Sequence, residues 1–218
     1  MSWSVSPAGP LRYAVLVPVK PPAFAKSRLA PLGDNARRAL VVAFAIDTVA
    51  AALEADAVSG VLAVTDDHML AAALCDVGAF VIPDAVTDDL NGSLQQAALE
   101  AQRRWPDSGV AALCADLPAL RPVDLDRAVT TAPIDRMSFV ADADGVGTTT
   151  VLAPSIDLFV PRYGAESRKA HLESGAAEIE LPDIPTLRHD VDTPADLAAA
   201  LDLGVGGRTA VTAAGLTL

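Results

Sequence analysis

The chain has 218 residues, 51% of them hydrophobic and 20% charged, which excludes a mostly disordered chain and allows a core that needs neither disulfides nor a structural metal. Sixteen lysines and arginines face 28 aspartates and glutamates, a formal net charge of -12. A broad, sequence-independent grip on nucleic acid is therefore excluded, and an anionic ligand needs a local cationic spot or a metal.

In chain order, residues 1–11 show no basic start followed by an apolar stretch, so no export signal is expected and this end reads as a loose tail. Residues 13–19 form a short β-branched apolar run, as for a strand buried on both faces. Leu40, Phe44, Val49 and Leu53 recur at helical spacing, which predicts a long helix over 35–55 with Asp34 as its cap. The apolar stretch 39–53 is broken by Asp47 and is too short to cross a bilayer, so no membrane partner is expected.

Strands are then predicted at 60–64, 80–82 and 110–115, alternating with helices at 67–77, 93–105 and 122–131. Such alternation implies an α/β fold, a three-layer α/β/α sandwich on a mostly parallel sheet. Beyond Met137 the pattern is mixed: strands at 138–141 and 148–153, a helix at 167–174, an extended piece at 187–191 and a helix at 194–203. Residues 12–204 are expected to form one domain, with 205–218 a fraying tail. Cys75 and Cys114 lie in apolar stretches and are expected to be reduced core thiols of a cytoplasmic protein.

Neither a Gly-x4-Gly-Lys-Ser/Thr loop nor a Gly-x-Gly-x-x-Gly after the first strand is present. The loop after that strand instead carries Lys20, Lys26 and Arg28, stiffened by Pro21 and Pro22. It could hold a triphosphate and offset charge in phosphoryl transfer, or simply be a solvated basic loop. Asp116 follows a buried strand and precedes Leu117-Pro118, a position for a metal ligand or for a local turn. Asp190 and Asp192 alternate, so on an extended segment they face one side. Capping explains Thr193, Pro194 and Asp196, but not that alternation. Three carboxylates from two distant segments repel unless a cation joins them, and oxygen ligands beside phosphate suit Mg2+. Gly145 and Gly147 before Thr148, and Gly164 before Ser167, could present amides and a hydroxyl to an anion; equally, they could form a turn and a helix cap.

Taken together, Pro18-Val-Lys20, Lys26-Ser-Arg28-Leu29, Thr65-Asp66, Leu90-Asn91, Asp116-Leu117-Pro118, Gly147-Thr148, Tyr163-Gly164 with Ser167 and His171, and Asp190-Val-Asp192-Thr-Pro form an ordered set. This set resembles the phosphoenolpyruvate or 2-phospho-L-lactate guanylyltransferase family of deazaflavin coenzyme F-420 biosynthesis. The resemblance covers about residues 12–204 and departs from the family at Ala115, where Gly is more frequent. It implies a nucleotidyltransferase fold of the glycosyltransferase-A type, with GTP as donor and Mg2+ as cofactor. Lys20, Lys26 and Arg28 would serve the triphosphate and Asn91 the nucleotide. Asp116, Asp190 and Asp192 would hold the metal, and Thr148, Gly164 and Ser167 the phosphorylated acid. Phosphoenolpyruvate is the preferred acceptor over 2-phospho-L-lactate. Alternatives are another nucleotidyltransferase of this fold, such as one acting on molybdopterin, or a non-catalytic GTP or phosphometabolite sensor.

Overall fold

A computed structural model describes residues 10–23, 25–86 and 89–216. Of the expected amino-terminal tail, residues 1–9 lie outside the described residues, while Leu11 packs against the core. Seven strands form one sheet: β1 (Tyr13–Pro18), β2 (Val58–Val64), β3 (Phe80–Ile82), β4 (Gly109–Leu113), β5 (Ser138–Ala141), β6 (Thr148–Ala153) and β7 (Ala177–Glu178), in the order β3-β2-β1-β4-β6-β5-β7. The first four are mutually parallel. β6 runs antiparallel to both β4 and β5. The mixed second half of the sequence is therefore a mixed half of the sheet.

The helices are α1 (Asp34–Glu54), α2 (His68–Asp76), α3 (Leu90–Arg104), α4 (Pro122–Thr131), α5 (Ser167–Glu173), α6 (Pro185–Arg188), α7 (Pro194–Leu203) and α8 (Gly207–Ala213). Alternate side chains of β1 supply two cores, one on each face of the sheet. Tyr13, Val15 and Val17 pack with Ile46 and Val49 of α1, Leu70 and Leu74 of α2 and Leu125 of α4. Ala14 and Leu16 pack with Leu94, Ala97, Ala98 and Ala101 of α3. This is the expected three-layer sandwich. No helix among the described residues is long and apolar enough to cross a membrane.

Four local expectations are corrected. Asp34 is not the cap of α1 but lies in its first turn, where its carboxylate accepts from Arg37 Nη2 at 2.5 Å and Arg38 Nε at 2.8 Å. Cys75 is exposed, because α2 turns Leu70 and Leu74 to the core and Cys75 away from it. The segment expected to be extended from 187 begins inside α6, whose first turn carries Pro185. The segment after Gly204 holds α8, which is docked rather than frayed. Asp47 of α1 accepts from the amides of Arg208 (3.1 Å) and Thr209 (2.7 Å) at the first turn of α8. The approach is close enough that a Cβ on Gly206 would lie 2.3 Å from the Asp47 carboxyl carbon.

Candidate active site

The strand order reverses at β1, with β2 on one side and β4 on the other, and the loops leaving the carboxyl ends of β1 and β4 diverge there. Asp116 lies just past β4, and its backbone is fixed from two directions. Thr48 Oγ1 of α1 donates to Ala115 O at 3.3 Å and accepts from Leu117 N at 3.1 Å, gripping the peptides on either side. Asp116 O in turn accepts from Val191 N at 3.0 Å. Val191 is fully buried with Leu29, Ala119 and Leu197, so the residues flanking it, Asp190 and Asp192, are held beside Asp116. One oxygen from each of these carboxylates lies within 4.8 Å of the others. Asp196 accepts from Thr193 N at 2.7 Å in a capping box, so it serves the start of α7 and stays out of this cluster.

The loop after β1 brings its cations to the same place. The Lys26 ammonium donates to both Asp116 Oδ2 and Asp192 Oδ1. Arg28 Nη1 lies 3.6 Å from Asp192 Oδ2, with a side chain 73% exposed, and Lys20 is exposed at the other end of the loop. Lys26 holds a left-handed backbone, φ +54°, a conformation that costs a non-glycine residue roughly 1–2 kcal/mol. The loop is kept in shape by Arg37, a buried residue of α1 whose guanidinium donates to the carbonyls of Pro22 (2.9 Å), Ala23 (3.2 Å) and Ala25.

The charges in this cluster do not balance. Burial by itself would lower the Lys26 ammonium, but Asp116 and Asp192 outweigh it and hold it well above the usual lysine value. Burial and the charge of Asp116 push the Asp190 carboxyl up to about 7, although Lys26 opposes them. Asp116 Oδ1 is buried with no hydrogen-bond partner among the described residues. A buried carboxylate oxygen without a donor is costly. An all-oxygen donor set with surplus negative charge fits a hard divalent cation, which these three carboxylates would hold.

Beside this cluster lies the region expected to bind the acid. Cys114 N, two residues before Asp116, donates to Thr149 O at 2.8 Å, which puts Thr148 next to the end of β4. Thr148 Oγ1 is 3.0 Å from His171 Nδ1, and His171 Nε2 accepts from Arg162 N at 2.9 Å. Asn91, at the start of α3, commits both ends of its amide to Tyr163: Oδ1 accepts from Tyr163 N at 2.8 Å and Nδ2 donates to Tyr163 O at 2.9 Å. Gly164 follows at φ +147° with open space where a side chain would stand, and Ser167 is buried at the start of α5. Burial drives the His171 imidazole down to about 4, with a further push from Arg162, so the ring is neutral.

Of the two readings of Gly145–Gly147, the structure shows the turn rather than an anion cradle. The Asp142 carboxylate already accepts from Val146 N (2.9 Å) and Gly147 N (2.7 Å), so this turn is closed on itself. Thr48, Arg37 and the bridging role of His171 had no local signature, because each acts on a segment distant in sequence.

The protein-family profile described as "Guanylyl transferase CofC like" matches residues 13–210. A phosphoenolpyruvate guanylyltransferase from Thermomonospora curvata is 47% identical over 215 residues, covering 98% of this chain and 94% of its own. Among solved structures, a nucleotidyl transferase from Methanothermobacter matches with a TM-score of 0.58 at 18% identity, covering 87% of this chain and 96% of its own. A Mycobacterium tuberculosis protein solved in complex with manganese matches with a TM-score of 0.55 at 19% identity, covering 88% of this chain and 98% of its own. The first of these likenesses establishes the nucleotidyltransferase fold. With a profile match over nearly its whole length and relatives this similar, the chain belongs to the CofC-like guanylyl transferase family.

Proposed function

We propose that this enzyme transfers GMP from GTP to phosphoenolpyruvate and releases pyrophosphate, making the activated precursor for coenzyme F-420. The observation that carries the reading is the meeting of a Lys26-bearing loop with Asp116, Asp190 and Asp192 at the sheet's switch point, directly beside Thr148. The relative from Thermomonospora curvata bears the name of this activity. 2-Phospho-L-lactate is the second acceptor to compare.

In this reading Lys20, Lys26 and Arg28 face the triphosphate, while Thr148, Gly164 and Ser167 hold the acid. A phosphate oxygen of the acceptor attacks the α-phosphorus of GTP. A new phosphorus–oxygen bond forms as the bond to the β-phosphate bridging oxygen breaks, and pyrophosphate leaves with that electron pair. The attacking phosphate is already ionised at neutral pH, so no general base is required, in keeping with a His171 turned to hydrogen bonding. Two anions must meet, and the lysines and arginine of the loop offset their repulsion. Mg2+, held by Asp116, Asp190 and Asp192, would supply Lewis-acid polarisation of the phosphoryl oxygens.

The test is pyrophosphate release from GTP and Mg2+ with phosphoenolpyruvate, with 2-phospho-L-lactate and with no acceptor. Release that depends on phosphoenolpyruvate is expected. Its absence with both acids overturns the reading, and release without any acid reassigns the chain to GTP hydrolysis.

A further inference from the structure

Two residues outside the reacting groups converge on the loop that delivers Gly164. Asn91 reaches from α3 and fastens the Tyr163 peptide at both its N–H and its C=O. His171 reaches from α5 and accepts the N–H of Arg162, the preceding residue. Because Nε2 accepts there, a neutral ring carries its proton on Nδ1, which then donates to Thr148 Oγ1. A single imidazole therefore sets the separation of Thr148 on β6 and the loop before Gly164.

The ring has little freedom to move. It is fully buried, stacked on Phe139 at 5.3 Å and met edge-on by Tyr163 at 5.6 Å. Tyr163 is itself anchored, its hydroxyl donating to Ala112 O of β4 at 3.2 Å. The hydrogen bonds of Asn91 and His171 all run to the acceptor side, and none runs to Lys26, Asp116, Asp190 or Asp192.

We propose that Asn91 and His171 are positioning residues for the phosphorylated acid: reaching from α3 and α5, they clamp the Arg162–Tyr163 backbone, fixing Gly164 relative to Thr148 before the acid arrives. The proposal rests on the acceptor site described under the proposed function. A loop already ordered spares the ligand the entropy of ordering it, so loss of the clamp weakens the acid selectively. Asn91 thereby acts on the acceptor through Tyr163, each end of its amide making one bond to that residue's backbone.

The experiment measures KM for GTP and for phosphoenolpyruvate separately in the full chain with Mg2+, alongside phosphoenolpyruvate binding by calorimetry. The variants are Asn91→Ala, His171→Phe, His171→Gln and, as a control in the site itself, Gly164→Val. Losing the two hydrogen bonds that each side chain makes should raise the phosphoenolpyruvate KM about tenfold or more in Asn91→Ala and His171→Phe. KM for GTP should stay within about twofold. His171→Phe keeps the stack on Phe139 but neither hydrogen bond, whereas the terminal oxygen of His171→Gln can still accept from Arg162 N. Partial recovery in His171→Gln is therefore expected, and a merely space-filling role predicts the reverse order. If His171→Phe does not fold, Asn91→Ala and His171→Gln decide. Equal changes in both KM values, or none, overturn the clamp. If Gly164→Val loses the acid while the clamp variants do not, only the clamp falls. If the wild-type chain neither turns over nor binds phosphoenolpyruvate, the acceptor reading falls with it.

Discussion

Under the proposed function, Asp116 is a side chain expected to be essential to chemistry and dispensable to folding. Its backbone is held by Thr48 and Val191, and among the described residues the one hydrogen bond to its carboxylate comes from Lys26. Asp116→Asn should therefore lower pyrophosphate release by about a hundredfold or more, as expected when a preorganised charge is lost. The melting temperature should barely change, and near-normal turnover at saturating Mg2+ would remove the main support for a metal site. His171 makes the opposite case, since its titration is a stability term. Its folded value is about 4 against 6.5 unfolded, so below pH 6.5 the unfolded chain takes up a proton that the native chain refuses. Stability from this group is full above pH 6.5 and is lost as pH falls toward 4, by about 3 kcal/mol in all. The groups facing the ring are the hydroxyl of Thr148, the Ser167 backbone, the rings of Phe139 and Tyr163, and the Arg162 cation. Urea midpoints from pH 7 to 4 should fall less in His171→Phe than in the wild-type chain. Parallel curves would show that the imidazole does not carry the effect.

At the scale of elements, α1 does more than cover the sheet. Three of its residues act outward: Arg37 shapes the cationic loop, Asp47 caps α8, and Thr48 grips the chain around Asp116. Ala213 of α8 then joins the cluster of Leu29, Val191 and Leu197 that seats Lys26 and Asp192 from behind. Gly206→Ala should expose this chain of support, because the new methyl would stand 2.3 Å from Asp47 and neither backbone nor cap can give way cheaply. Overpacking of this kind costs roughly 1–3 kcal/mol, and for a chain of this size each kcal/mol lowers the melting temperature by about 2–4 °C. A scan showing no shift would mean that α8 is only loosely attached. The strands other than β7, and most helices, were legible because periodicity and caps are local signals, as in the Thr193 capping box. The carboxylate cluster was legible for a similar reason: Asp116 ends a buried run, and Asp190 alternates with Asp192. Legibility ended where partners are remote. Thr48 lies 69 residues from Leu117, and nothing in the composition around α8 announces a cap supplied 161 residues earlier.

For the whole molecule the governing fact is an excess of negative charge on a chain proposed to bind anions. A chain of net charge -12 does not draw triphosphates by its overall field, so the local cations must compensate at short range. Lys26 is the only one of the three loop cations placed between two of the carboxylates, and it sits where those carboxylates would meet a metal. In the nucleotide-free chain it therefore acts as a counter-ion, reducing the repulsion among Asp116, Asp190 and Asp192. That role opposes metal binding, because a dication must approach a cluster already holding one positive charge. Lys26→Ala should consequently bind Mg2+ more tightly in the absence of nucleotide. The alanine inherits the same φ of +54° and keeps the backbone strain similar. One unit charge at contact distance is worth roughly 4 kcal/mol at the effective dielectric of a partly buried site, so a gain of at least about tenfold is expected after side-chain rearrangement. Turnover should nevertheless collapse, because the same ammonium is the most buried cation available to the triphosphate. Calorimetric titration of Mg2+ into the nucleotide-free chain checks the first half and pyrophosphate release checks the second. Unchanged or weaker Mg2+ binding in Lys26→Ala would mean that the lysine and the metal do not compete for these carboxylates.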